Sequence, residues 1–126
     1  MSCRILIIED EETLRESLKR VLLKEGYEVH AVESTEAALP LIAKKWCDVI
    51  VTDIILPGAS GMECLKTCRQ KNPDLIVIVM TAYATMESAV EAIRAGAYEY
   101  LLKPIDHEEF KALIKKALAG RAYHKG

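Results

Sequence analysis

Glu9, Asp10, Asp53, Thr81 and Lys103 each follow an apolar run of strand character. Arg4-Ile5-Leu6-Ile7-Ile8 leads into Glu9-Asp10, and Asp48-Val49-Ile50-Val51-Thr52 leads into Asp53. Leu75-Ile76-Val77-Ile78-Val79-Met80 leads into Thr81, and Tyr98-Glu99-Tyr100-Leu101-Leu102 into Lys103-Pro104. Open parallel α/β sheets bind ligands at the carboxyl ends of their strands. Three carboxylates, a hydroxyl and an ammonium are therefore expected to converge on one site. Three carboxylates that close repel one another and raise at least one pKa unless a cation neutralises them. A hard divalent cation with oxygen ligands does this, and Mg²⁺ is the abundant intracellular choice. Together with Lys103 it cancels the three negative charges, and the site then suits an incoming phosphoryl group. The Thr81 hydroxyl can donate to a phosphoryl oxygen. An aspartate held there can attack phosphorus and become an aspartyl phosphate. Asp53, the central carboxylate, is the candidate nucleophile, and the loop after it can offer a backbone carbonyl, that of Ile55, to the metal.

The elements that must position these residues alternate strand and helix five times in a chain of 126 residues, the length of one domain. The first strand covers about residues 4–9. The first helix covers about 11–25, with Leu14, Leu18, Val21 and Leu22 on one face and Gly26 as its stop. A mixed strand from Tyr27 to Val32 leads to a helix capped by Ser34 or Thr35. Pro40 conflicts with that helix and predicts a short, displaced or kinked element. The third strand ends at Asp53, and Pro57, Gly58 and Gly61 mark the loop after it. A helix from Ser60 or Gly61 to Lys71, a turn at Asn72-Pro73-Asp74, a helix over 85–95 and a strand over 98–102 follow. The last helix starts near Asp106 with an apolar stripe of Phe110, Leu113, Ile114, Ala117 and Leu118. Strand–helix alternation implies a parallel sheet covered on both faces. Continuous apolar strands belong in its middle and mixed ones at its edges. The expected fold is α/β: a doubly wound, flavodoxin-like five-stranded parallel sheet in the order 2-1-3-4-5 with five helices on two faces. Its switch point then lies between strands one and three, so Asp10 and Asp53 flank the crevice. The domain is expected to span 1–120. Residues 121–126 have no apolar period and read as a tail, either a free terminus or the start of a linker.

Composition narrows the function classes. With 51% hydrophobic and 29% charged residues the chain reads as a soluble globular protein. No apolar run is long enough to span a bilayer, and charge at Glu9 to Glu12 follows the first strand at once, unlike a secretory signal. A cytoplasmic location is expected. The net charge of −2 gives no basic field for nucleic acid. Cys3, Cys47, Cys64 and Cys68 read as reduced thiols; Cys64 and Cys68 are four apart on a helix, but nothing completes a zinc site. His30, His107 and His124 show no partner pattern and are expected at the surface.

These residues also carry a resemblance. Glu9-Asp10, Asp53 with Pro57-Gly58 and Gly61, Thr81-Ala82 and Lys103-Pro104 resemble the signature of response-regulator receiver domains, the phosphoacceptor modules of two-component phosphorelay signalling. The resemblance runs to about residue 119, and Met80–Pro104 especially resembles receivers of enhancer-binding transcriptional activators. It implies that Asp53 accepts a phosphoryl group from a sensor histidine kinase. It implies that Glu9 and Asp10 hold Mg²⁺, Asp10 the more directly, with Asp53 and the Ile55 carbonyl. Thr81 matches the switch hydroxyl, Lys103 the lysine that contacts the phosphoryl group, and Tyr100 the switch aromatic; the bond to Pro104 is typically cis in the family. The implied response is a shift of the 81–84 loop and helix four, read on helix four, strand five and helix five by an output domain or downstream protein, with homodimerisation on phosphorylation as one form of output. Ala84, Val90, Ile93, Arg94 and Tyr98 are the candidate surface residues. Such a domain is not a turnover enzyme; at most it phosphorylates and dephosphorylates itself slowly.

Taken singly, Asp53 reads as a turn residue, Glu9 and Asp10 as acids at a helix start, Thr81 as a cap and Lys103 as a surface lysine. Their weight comes from the set. Two rivals share parts of it. A flavin carrier of this topology needs a Ser/Thr/Gly-rich phosphate loop after strand one, where this chain has Glu9-Asp10-Glu11-Glu12. A haloacid-type phosphatase needs D-x-D at its nucleophile, where this chain reads Asp53-Ile54-Ile55.

Overall fold

The computed structural model describes residues 3–53, 61–82 and 85–125, with the side chains of 61–62 and 121–125 left aside. Its elements run β1 (Arg4–Ile8), α1 (Glu12–Lys24), β2 (Glu28–Val32), α2 (Thr35–Ala43), β3 (Val49–Asp53), α3 (Gly61–Lys71), β4 (Ile76–Thr81), α4 (Met86–Arg94), β5 (Glu99–Leu102) and α5 (His107–Lys125). All neighbouring strands pair in parallel, in the order β2-β1-β3-β4-β5. The doubly wound sheet expected from the sequence is the one observed.

Strand character explains the order. Every residue of β3 and β4 is buried, as are Ile5–Ile8 of β1, whereas β2 and β5 bury none fully. The pleat sends alternate side chains to opposite faces. Leu6, Ile8, Ile50, Val77 and Val79 pack with Ala38 and Ile42 of α2, Cys64, Leu65 and Cys68 of α3, and Ala92 of α4. Ile5, Ile7, Val49, Val51, Ile78 and Met80 pack with Leu18 and Leu22 of α1 and Phe110, Ile114 and Ala117 of α5. The stripe expected on α5 is thus the one that covers the sheet. Cys47, Cys64 and Cys68 are buried and form no disulfide; contact with the Cys68 sulfur at 3.9 Å, together with burial, pushes the Cys64 thiol up.

Helix ends depart from the sequence reading in small ways. α1 begins one residue late because Glu11 caps it, its Oε2 accepting from the Leu14 N–H at 2.7 Å. Ser34, rather than Thr35, caps α2. α2 is the short element that Pro40 predicted, nine residues long, and it accommodates the proline on its exposed side. Gly96, at φ 107°, turns the chain after α4 in the left-handed region open to glycine, and an added Cβ would lie 2.8 Å from Arg69 Nε. After α2 the same turn is made by Lys45 at φ 54°. α5 stays helical through Lys125, past the boundary expected at 120. Gly120 inside a helix costs only about 1 kcal/mol, and no proline follows to stop it.

Candidate functional site at the strand ends

Parallel register delivers the site residues to one end of the sheet. Asp53 is the last residue of β3 and pairs with Met80, so Thr81 lies one step beyond on the next strand. The Lys103 N–H donates to the Thr81 carbonyl at 2.8 Å, which extends the β4–β5 ladder and sets Lys103 beside the crevice. On the other side the Glu9 N–H donates to the Val32 carbonyl at 3.0 Å and extends β1.

Three carboxylates meet there. Glu9, Asp10 and Asp53 each place an oxygen within 4.8 Å of the others; Glu9 and Asp53 are buried and Asp10 is exposed. Lys103 Nζ lies 2.5 Å from Asp53 Oδ2 and 2.6 Å from Glu9 Oε1. The Asp53 contact is a hydrogen bond and the Glu9 contact a close ion pair. Glu9 Oε2 accepts from the Glu11 N–H at 2.9 Å. Burial pushes the Glu9 carboxyl above the usual carboxylate range, outweighing the pull of Lys103 and the Glu11 N–H. Burial works to lower the Lys103 pKa, but its contacts with Asp53 and Glu9 win and hold it above the ordinary lysine value. One ammonium against three carboxylates leaves an excess of negative charge in a largely buried place. An all-oxygen donor set with this excess of negative charge suits a hard dication.

Thr81 is buried at the end of β4. Tyr100 is half-buried, and its hydroxyl lies 2.9 Å from Ser88 Oγ. Ser88 belongs to the capping box of α4: its N–H donates to Thr85 Oγ1 at 3.0 Å, and its Oγ accepts from the Thr85 N–H. The bond between Lys103 and Pro104 is cis. The Ile55 carbonyl, Pro57, Gly58 and Ala84 lie outside the described residues. Val90, Ile93, Arg94 and Tyr98 are exposed as expected. The sequence reading missed two exposed apolar residues, Met86 and Leu102, and two polar ones, Ser88 and Arg15. Ser88 was signalled by Thr85-x-x-Ser88, a capping pattern. Arg15, which donates to the carbonyls of Glu9 and Asp10, carried no signal.

Fold and site together define a doubly wound α/β protein with an acidic, lysine-paired cluster at its switch point. Residues 5–115 match the family described as the response regulator receiver domain, and the chain belongs to that family. It is a signalling domain of two-component systems rather than a conventional enzyme. It is 39% identical over 121 residues to the response regulator protein FleR of Pseudomonas aeruginosa, covering 96% of this chain and 26% of that protein. It is 40% identical over 115 residues to the regulatory protein AtoC of Escherichia coli, covering 91% of this chain and 25% of that protein. The chain thus spans about a quarter of the length of these curated relatives. Among solved structures it resembles a CheY-like receiver domain of Methanospirillum hungatei (TM-score 0.94, 31% identity, 98% of this chain and 99% of that one). It also resembles the beryllofluoride-activated NtrC4 receiver domain dimer (TM-score 0.89, 35% identity, 94% and 98%). It is also 36% identical over 115 residues to the DNA-binding transcriptional regulator NtrC of Escherichia coli, covering 91% of this chain and 24% of that protein, in line with the character of Met80–Pro104. No described helix is long and apolar enough to cross a membrane.

Proposed function

We propose that Asp53 is a phosphoacceptor, charged by a sensor histidine kinase, and that its phosphorylation switches a surface formed by α4, β5 and α5. The observation that carries this reading is the convergence of Glu9, Asp10, Asp53 and Lys103 at adjoining strand ends. A carboxylate oxygen of Asp53 attacks the phosphorus of a phosphohistidine, the P–N bond breaks, and the imidazole leaves with a proton. Glu9, Asp10 and Asp53, joined by the Ile55 carbonyl, would hold Mg²⁺. When bound, the cation neutralises the carboxylates and the phosphoryl oxygens as charge builds on them. Lys103, already at Asp53, remains to pair with the phosphoryl group, and the Thr81 hydroxyl donates to one of its oxygens. Asp53 is thereby no longer a partner in the same ion pair, and the 81–84 loop, α4 and Tyr100 change their relative populations.

The output follows the relatives: a DNA-regulating domain or downstream protein reads α4, β5 and α5, with homodimerisation as one route. The domain sits in the cytoplasm and binds neither nucleic acid nor membrane itself. We place its boundary near residue 120 and take 121–126 as a tail or the start of a linker, although α5 itself runs on through Lys125. The test is intact mass and peptide mapping after incubation with Mg²⁺ and acetyl phosphate. One acid-stable, base-labile phosphoryl group on Asp53, absent with EDTA and absent in Asp53→Ala, is expected. Wild-type incorporation in Asp53→Ala would overturn the assignment.

A further inference from the structure

Arg15 is not needed for the core and touches no other charged side chain in the acidic cluster, yet it is held against the turn that carries two of its members. Its Nη1 donates to the Glu9 carbonyl at 3.0 Å, with a longer contact of 3.5 Å to the Asp10 carbonyl. Both carbonyls belong to the short connection between β1 and the helix cap at Glu11. Other ties of that connection include the Glu9 N–H to the Val32 carbonyl, the Glu11 N–H to Glu9 Oε2 and a side-chain contact between Glu9 and Asp10. Asp10 is the exposed member of the trio, oriented by its main chain and by its side-chain contact with Glu9. Both contacts are made by one guanidinium nitrogen, whose rigid plane and permanent charge suit it to main-chain carbonyls.

We propose that Arg15 is a positioning residue for the metal site: its grip on the Glu9 and Asp10 carbonyls fixes the β1–α1 turn so that both carboxylates meet Asp53. This rests on the reading that the cluster holds a divalent cation. Two effects of Arg15 on that cation have opposite signs. As a nearby positive charge it repels the cation, so its removal should tighten binding. As a brace it preorganises two ligands, so its removal should weaken binding. The geometry favours the brace, because the guanidinium is spent on the main chain.

Arg15 also lines a shallow cavity of about 250 Å³ with Ala31, Val32, Glu33 and Ala37, so its truncation opens onto solvent rather than into the core. The test is Mg²⁺ titration followed by amide chemical shifts in wild type, Arg15→Ala and Arg15→Lys, with urea unfolding in EDTA as a check on the fold. Arg15→Ala is expected to weaken Mg²⁺ binding about 10-fold, the size typical when a group that orients a metal ligand is removed. Arg15→Lys, which keeps the charge and N–H donors but loses the planar guanidinium and its reach, should fall between it and wild type. Unchanged or tighter binding in Arg15→Ala overturns the proposal, as does wild-type affinity in Arg15→Lys should the alanine variant not fold. Absence of Mg²⁺ binding in the wild type overturns the metal reading itself, and the proposal with it.

Discussion

The strand ends and the α4 face are neighbours built to opposite specifications. Glu9, Asp53 and Thr81 are buried at the ends of three strands whose own residues form the core. Their main chains are tied into the sheet ladder. α4 buries only Ala92 fully, and its Met86, Val90 and Ile93 are 85%, 42% and 50% exposed. α1, by contrast, sinks both Leu18 and Leu22 into the core. Elements with little buried apolar surface open at low free-energy cost, whereas core strands open only with the whole domain. The difference teaches where a charge change can be felt: the rigid end receives it, and the loosely seated helix answers it. Tyr100 spans the gap, its ring packed against the core and its hydroxyl on Ser88 at the start of α4.

Substitutions should separate the two regions, and the largest effect lies beneath the site. Phe110→Ala empties the space under the sheet and should cost about 3 to 5 kcal/mol in urea unfolding. Lys103→Met removes the ammonium from two carboxylates and should cost about 2 kcal/mol at neutral pH. It should also change the alkaline limb. Burial opposes, but Asp53 and Glu9 together raise the folded Lys103 pKa above 10.5. That contribution is fully present below the unfolded value and is lost as pH rises through the folded one. The wild type should therefore lose stability on this account as pH rises above 10.5, and the methionine variant should not. Thr85→Ala breaks the α4 capping box and should cost about 1 kcal/mol, seen as faster amide exchange in α4 with the strand ends unchanged. Asp10→Asn relieves carboxylate repulsion and should raise stability in EDTA by about 1 kcal/mol while abolishing tight Mg²⁺ binding. Ile93→Ser on the exposed face should stay within about 0.5 kcal/mol of wild type. A loss of several kcal/mol there would mean that α4 is seated as firmly as the core.

The sheet order was legible because burial writes directly into strand composition: β3 and β4 are apolar up to their polar ends, while β2 carries Glu28 and His30. The acidic trio and Lys103 were legible because strand ends in a parallel sheet share one edge. Helix ends were less so. Lys45 takes a left-handed turn that sequence reading assigns to glycine, and α5 continues through Gly120, because context overrides a propensity of about 1 kcal/mol. Arg15 and Ser88 escaped because their partners are a main-chain carbonyl pair and a tyrosine hydroxyl brought near only by folding.

The central claim is that charge placed on Asp53 is answered at α4. Amide chemical shifts of the wild type, recorded with Mg²⁺ before and after addition of beryllofluoride, test it directly. The account predicts changes that run from Asp53 and Thr81 through Tyr100 into α4 while β2 and the centre of α1 stay still. Changes confined to the strand ends, with α4 unmoved, would contradict it.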